Sequence, residues 1–92
     1  MNHIEKNIIV SNKKGLHARP AALLVQLVDR LNVSVTIQKN QEKVNGKSIM
    51  GLLTLGAQFG TVLKLIVEGD NAQEAIDEIE KFFSKQEEEL ML

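Results

Sequence analysis

The chain has 92 residues, room for one small domain and not for two. Its 11 Lys and Arg are offset by 12 Asp and Glu, for a formal net charge of -1, and it holds three Phe with no Trp or Tyr. Such a surface lacks both the clustered positive charge that draws nucleic acid and a platform for stacking bases, and the absence of cysteine excludes disulfides, thiol catalysis and thiolate metal sites.

Met1 to Val10 carries Asn, His, Glu and Lys and no apolar run of signal length. Nowhere do about 18 apolar residues follow one another, so a cytoplasmic protein without membrane insertion is expected. Ile4 to Val10 ends in the β-branched run Ile8-Ile9-Val10 and predicts a first strand. Ser11-Asn12-Lys13-Lys14-Gly15 is a polar loop with a glycine, a clear break. From Ala18 to Leu31 the pattern turns helical, with Ala21, Leu24, Val25, Val28 and Leu31 spaced by three and four along one stripe. Pro20 falls within the first turn, where its missing N–H costs little.

Val33, Val35 and Ile37 alternate with Ser34, Thr36 and Gln38, the period of two of a half-buried strand. Asn40-Gln41 supplies a turn, Glu42 to Asn45 returns as a short strand, and Asn45-Gly46 breaks the chain again. Ser48 is the expected N-cap of a short helix running to about Leu55, with Gly56 placed to end it. Thr61 to Glu68 predicts the last strand, and Gly69-Asp70-Asn71 a turn that also offers a cap. The final helix shows Ala72, Ala75, Ile76, Ile79, Phe82 and Phe83 on one side and mostly charged residues on the other. The tail Lys85 to Leu92, with three consecutive glutamates, is expected to fray.

The order β-α-β-β-α-β-α with alternating strands predicts an α+β open-faced two-layer sandwich. A four-stranded antiparallel sheet would be solvated on one polar face and covered by three helices on the other, as a single domain over residues 1–92.

The chemistry concentrates in Gly15-Leu16-His17-Ala18-Arg19-Pro20-Ala21. His17 lands at or just before the first helical turn, where backbone N–H groups have no intrahelical acceptor. With the macrodipole they suit an anion such as phosphate. Arg19 adds a permanent charge and a planar fork of donors for phosphate oxygens. Imidazole is a nucleophile through an unprotonated ring nitrogen, and the helix end and guanidinium would stabilise phosphoryl oxygens as they arrive. These residue types fit reversible transfer better than hydrolysis, which needs a positioned water. Taken singly, a histidine near a helix start is more often a solvated residue or a cap, and the residues alone leave that alternative open.

The stretch Gly15 to Ala21 resembles the active-site signature of the HPr family, the histidine-containing phosphocarrier proteins of the bacterial phosphoenolpyruvate-dependent sugar phosphotransferase system. A second segment, Asn45-Gly46-Lys47-Ser48-Ile49-Met50-Gly51-Leu52-Leu53-Thr54-Leu55-Gly56, is similar to the family's regulatory serine region. The resemblance spans roughly Ile4 to Phe83. It implies that Enzyme I, charged by phosphoenolpyruvate, phosphorylates His17 on Nδ1, that Arg19 steadies the group within a phosphate loop including Gly15, Leu16 and Ala18, and that EIIA components receive it. The protein would then be a stoichiometric carrier and not a conventional enzyme, with no cofactor. Many family members place Ser or Asn where this chain has Lys14, which either adds charge near the phosphate or points into solvent.

Between Ser48 and Leu55 almost every residue is apolar. Leu52 and Leu55 share one side of a helix while Ile49, Met50 and Leu53 favour another, so the latter three are expected to remain exposed as a partner surface; the alternative is that all five are core. Gly51 would permit close packing. By the resemblance, Ser48 is the substrate of an HPr kinase/phosphorylase, and its phosphate would act by charge and shape at the partner surface. His3 has no second ligand nearby in sequence, so no metal site is expected. The competing readings are a regulatory binding module, a carrier of the nitrogen-related branch and a plain scaffold. The charged tail and the lack of a long apolar seam favour a monomer.

Overall fold

The computed structural model describes residues 2–89, with side chains as far as Lys85. Seven elements follow in chain order: β1 (His3–Ile9), α1 (Ala18–Leu31), β2 (Ser34–Lys39), β3 (Glu42–Asn45), α2 (Ile49–Thr54), β4 (Val62–Glu68) and α3 (Ala72–Glu89). The strands lie in the spatial order β1-β4-β2-β3 and every pairing is antiparallel. The sandwich predicted from periodicity is therefore the fold observed.

Alternation within the strands sets the register. Val67 stands opposite Val35 on one side and Ile4 on the other, and Leu65 stands opposite Ile37. A slip of one residue would turn these side chains to solvent, which strongly specifies the pairing. On the covered face they meet Ala21, Leu24 and Val28 of α1, Leu52 of α2, and Ala75, Ile76 and Ile79 of α3 in one buried cluster. Each fully buried Leu or Ile stabilises by about 1.5–3 kcal/mol relative to exposure. No helix among the described residues is long and apolar enough to cross a membrane.

Three details depart from the pattern reading. The open face is not wholly polar: Ile9 and Val62 face each other across β1 and β4 and are both exposed. Asn71 starts α3 through its carbonyl, which accepts the Ala75 N–H at 3.0 Å, while its side-chain amide donates to the Leu31 carbonyl at the end of α1. Finally, α3 continues to Glu89, past the start of the tail expected to fray. Gln and Glu are good helix formers, so nothing local stops the helix at Lys85. Residues 90–92 of that tail lie outside the described residues.

Candidate functional site

The loop between β1 and α1 is built almost entirely from backbone hydrogen bonds. Asn12 begins it: its side-chain Oδ1 accepts the Lys14 N–H at 2.9 Å and its main-chain carbonyl accepts the Gly15 N–H at 2.9 Å. The Leu16 N–H donates to the Ala57 carbonyl at 2.8 Å, and the His17 N–H to the Gly15 carbonyl at 3.1 Å. Four successive amides are thus turned inward. Gly15 makes this possible with φ +73; a Cβ there would lie 2.7 Å from the Ala57 oxygen. Only glycine meets both conditions without strain.

At His17 the accounting reverses. His17 is the N-cap of α1 in extended conformation, its side chain makes no capping hydrogen bond, and its carbonyl accepts the Ala21 N–H at 3.0 Å. Pro20 has no N–H. Of the orphan donors at this helix end, the amides of Ala18 and Arg19 therefore stand without an acceptor among the described residues. They emerge beside a half-buried imidazole and at the base of an exposed guanidinium. A doubly negative phosphoryl group on the imidazole would find two free N–H donors, the positive end of a 14-residue helix and one Arg in the same turn. Leu16 is buried and anchors the loop in the core. The Lys14 side chain is exposed, in keeping with the solvent alternative for that position.

Behind the loop stands the end of α2. Ser48 caps this helix, its hydroxyl accepting the Gly51 N–H at 2.9 Å. Gly51 packs closely, since a Cβ would sit 3.1 Å from the Ser48 hydroxyl and 3.2 Å from Val44 Cβ. At the other end Gly56 takes φ +68, and Lys39 Nζ donates to the carbonyls of Leu55 and Gly56 at 3.3 and 3.0 Å. A cation at the negative helix end is favourable. The next residue is Ala57, whose carbonyl holds the His17 loop.

The apolar patch on α2 is smaller than expected. Met50 is 67% exposed and Ile49 41%, whereas Leu53 is half-buried and packs against the core. Helix α2 rests against both α1 and β3, which leaves only a narrow stripe free. Phe59, in the loop that carries Ala57, is also 61% exposed.

Sequence reasoning also passed over Asn12, Lys39 and the Ala57 carbonyl. An Asn three residues before a Gly is a turn signal that could have marked Asn12. Nothing local marks the other two. Among the described residues, no group of three or more His, Cys, Asp or Glu is arranged to hold a metal ion.

The chain matches the family model described as PTS HPr component phosphorylation site over residues 4–85. It is 45% identical to the HPr-like protein Crh of Halalkalibacterium halodurans, over 90% of this chain and 99% of that one. It is 40% identical to phosphocarrier protein HPr of Treponema pallidum, over 94% and 98%. The crystal structure of HPr-C-His from Thermoanaerobacter tengcongensis superposes with a TM-score of 0.86 at 43% identity, covering 91% of this chain and 94% of that one. A crystal structure from the same organism is described as an HPr dimer, at 49% identity, 83% and 92% coverage and a TM-score of 0.64. A monomer, the state favoured by the sequence, is thus not general among the relatives.

Proposed function

The chain belongs to the HPr family of phosphocarrier proteins of the phosphotransferase system, and on that premise we propose that His17 is its phosphoryl acceptor, charged by Enzyme I and discharged to EIIA components. The observation that supports this most directly is the pair of free amides, Ala18 and Arg19, opening beside an imidazole that caps nothing. In the transfer, a lone pair on an imidazole nitrogen attacks phosphorus. The bond from phosphorus to the donor group on Enzyme I breaks, and its electron pair leaves with that group. The Ala18 and Arg19 amides and the Arg19 guanidinium neutralise the oxygens throughout. The stretch Gly15 to Ala21 carries no carboxylate that would activate a water, which suits onward transfer better than hydrolysis. The whole chain would work as one HPr-like domain, a stoichiometric carrier consumed and regenerated in each cycle. A cytoplasmic place fits that relay.

Ile49, Met50 and Leu53 would form part of the docking surface, with Ser48 at its edge. Phosphorylation of Ser48 by an HPr kinase/phosphorylase would set about two negative charges at a helix N-terminus, which tolerates them, at the edge of that surface. The similarity to Crh of Bacillus subtilis, described as a catabolite repression HPr, supports a second reading, in which regulation is the main duty and Ser48 its candidate site.

Intact-protein mass spectrometry at alkaline pH, after incubation with phosphoenolpyruvate, magnesium and active Enzyme I, separates the two. The carrier reading expects one acid-labile phosphoryl group, absent from His17→Ala. No addition to the unaltered protein overturns it. An ATP-dependent, acid-stable addition at Ser48 alone supports the regulatory reading.

A further inference from the structure

Resting on the carrier reading of His17, we infer that Asn12 is a positioning residue for phosphoryl transfer: it sets the turn that fixes where the imidazole and the two free amides stand. Asn12 is the only buried polar or charged residue among the described residues, 4% exposed. Burying an amide side chain is costly unless it is hydrogen-bonded, so its place in the interior calls for a reason. The reason is visible in its partners. With Oδ1 on the Lys14 N–H and its carbonyl on the Gly15 N–H, both at 2.9 Å, one residue ties down two successive amides immediately before the left-handed Gly15.

The consequence runs forward along the chain. Gly15 in that conformation presents the Leu16 N–H to Ala57 and its own carbonyl to the His17 N–H. His17 then enters α1 extended, with the Ala18 and Arg19 amides directed away from the loop's internal partners. Both hydrogen bonds that Asn12 accepts come from backbone N–H groups. Its effect passes through backbone only. The polar side chain that organises this loop thus stands two residues before Lys14, and Lys14 supplies its backbone amide in place of a side-chain contact.

The test measures phosphorylation by Enzyme I as a function of carrier concentration for the full-length protein, Asn12→Ala and Asn12→Asp, at a urea-free temperature where all are folded. Aspartate keeps an acceptor oxygen at the Oδ1 position, and alanine does not. For Asn12→Ala, kcat is expected to fall about 10-fold with KM within about twofold, since the docking surface is intact while the reacting group is displaced. Asn12→Asp is expected to recover most of the rate. Should Asn12→Ala fail to fold, Asn12→Gln takes its place, keeping the amide but too long to close the turn. An unchanged kcat in the alanine or glutamine variant, or an equal loss in Asn12→Asp, overturns the positioning role. Failure of the unaltered protein to accept phosphate at all overturns the reading of His17 instead.

Discussion

The Leu16 N–H donates to the carbonyl of Ala57 at 2.8 Å, and this one bond joins the loop before α1 to the segment that follows α2. The two residues are far apart in sequence, and both are buried. Because Ala57 follows directly on the Gly56 turn that Lys39 steadies, the position of His17 depends on how α2 ends as well as on its own helix. The site and α2 share a wall.

Substituting Gly15→Ala tests that wall. A Cβ would lie 2.7 Å from the Ala57 oxygen, at a backbone φ of +73 that L residues resist. The left-handed conformation alone costs about 1–2 kcal/mol, and relief of the overlap must move the Ala57 segment. Urea unfolding is expected to show a loss of roughly 2–4 kcal/mol, strain and overlap together. Phosphate acceptance should fall in the conditions where the variant remains folded. A stability within about 0.5 kcal/mol of the parent would mean that the loop adapts freely.

Arg19 presents the opposite case. Its side chain is exposed and among the described residues makes no ion pair, so Arg19→Gln should leave stability within about 0.5 kcal/mol. Its effect should appear in chemistry: removing one preorganised donor from a developing oxyanion costs on the order of 100-fold at an enclosed site, and less where water competes. Rapid-quench measurement of phosphorylation by Enzyme I is expected to show a fall of about 10–100-fold. Equal rates for the two proteins would assign the stabilisation to the Ala18 and Arg19 amides alone.

How legible all this was depended on whether the cause was local. Helix α1 could be read from Ala21, Leu24 and Val28, and it runs over the residues the periodicity predicts. Ser48 could be read as a cap because a cap acts within three residues, and its hydroxyl does bond Gly51. Asn12 and Lys39 could not. Asn12 sits in a run of polar residues whose burial is imposed by packing, and Lys39 reaches a helix end 16 residues away through a fold the sequence pattern does not locate. The exposed Ile9 and Val62 escaped for a related reason: each belongs to an apolar run, and only the pleat shows which members face outward.

Acid should weaken the open face of the sheet. The hydrogen bond from His3, at 2.8 Å, holds the Glu5 carboxyl below the usual glutamate value of 4.5; desolvation opposes it, and the nearby Lys64 adds to the lowering. A carboxylate lowered on folding adds stability above its unfolded value, and that contribution disappears as pH falls through the folded one. Glu5 is solvent-exposed, so the effect is small and screened by salt. Comparing Glu5→Gln with the parent by urea unfolding, the two should differ in low salt at neutral pH and converge below pH 4.5. A difference that persists undiminished in strong acid would trace to packing and not to charge.

Ser48 separates structure from signal. In Ser48→Ala the Gly51 N–H loses its acceptor, and removing such a cap costs about 1 kcal/mol. Aspartate is as good a cap and is favoured by the positive helix end, so Ser48→Asp should match or exceed the parent in unfolding experiments. The ranking should invert in the relay. Alanine leaves the exposed Ile49 and Met50 uncharged at their border and should be phosphorylated by Enzyme I at near the parental rate once folded. Aspartate sets a charge beside them and should raise the KM for Enzyme I several-fold while kcat changes little, because α2 and the Ala57 carbonyl at its far end stay in place. Should kcat fall instead with KM constant, the signal travels through the helix to the Leu16–Ala57 bond, and the His17 amides should then shift in an NMR comparison of Ser48→Asp with the parent.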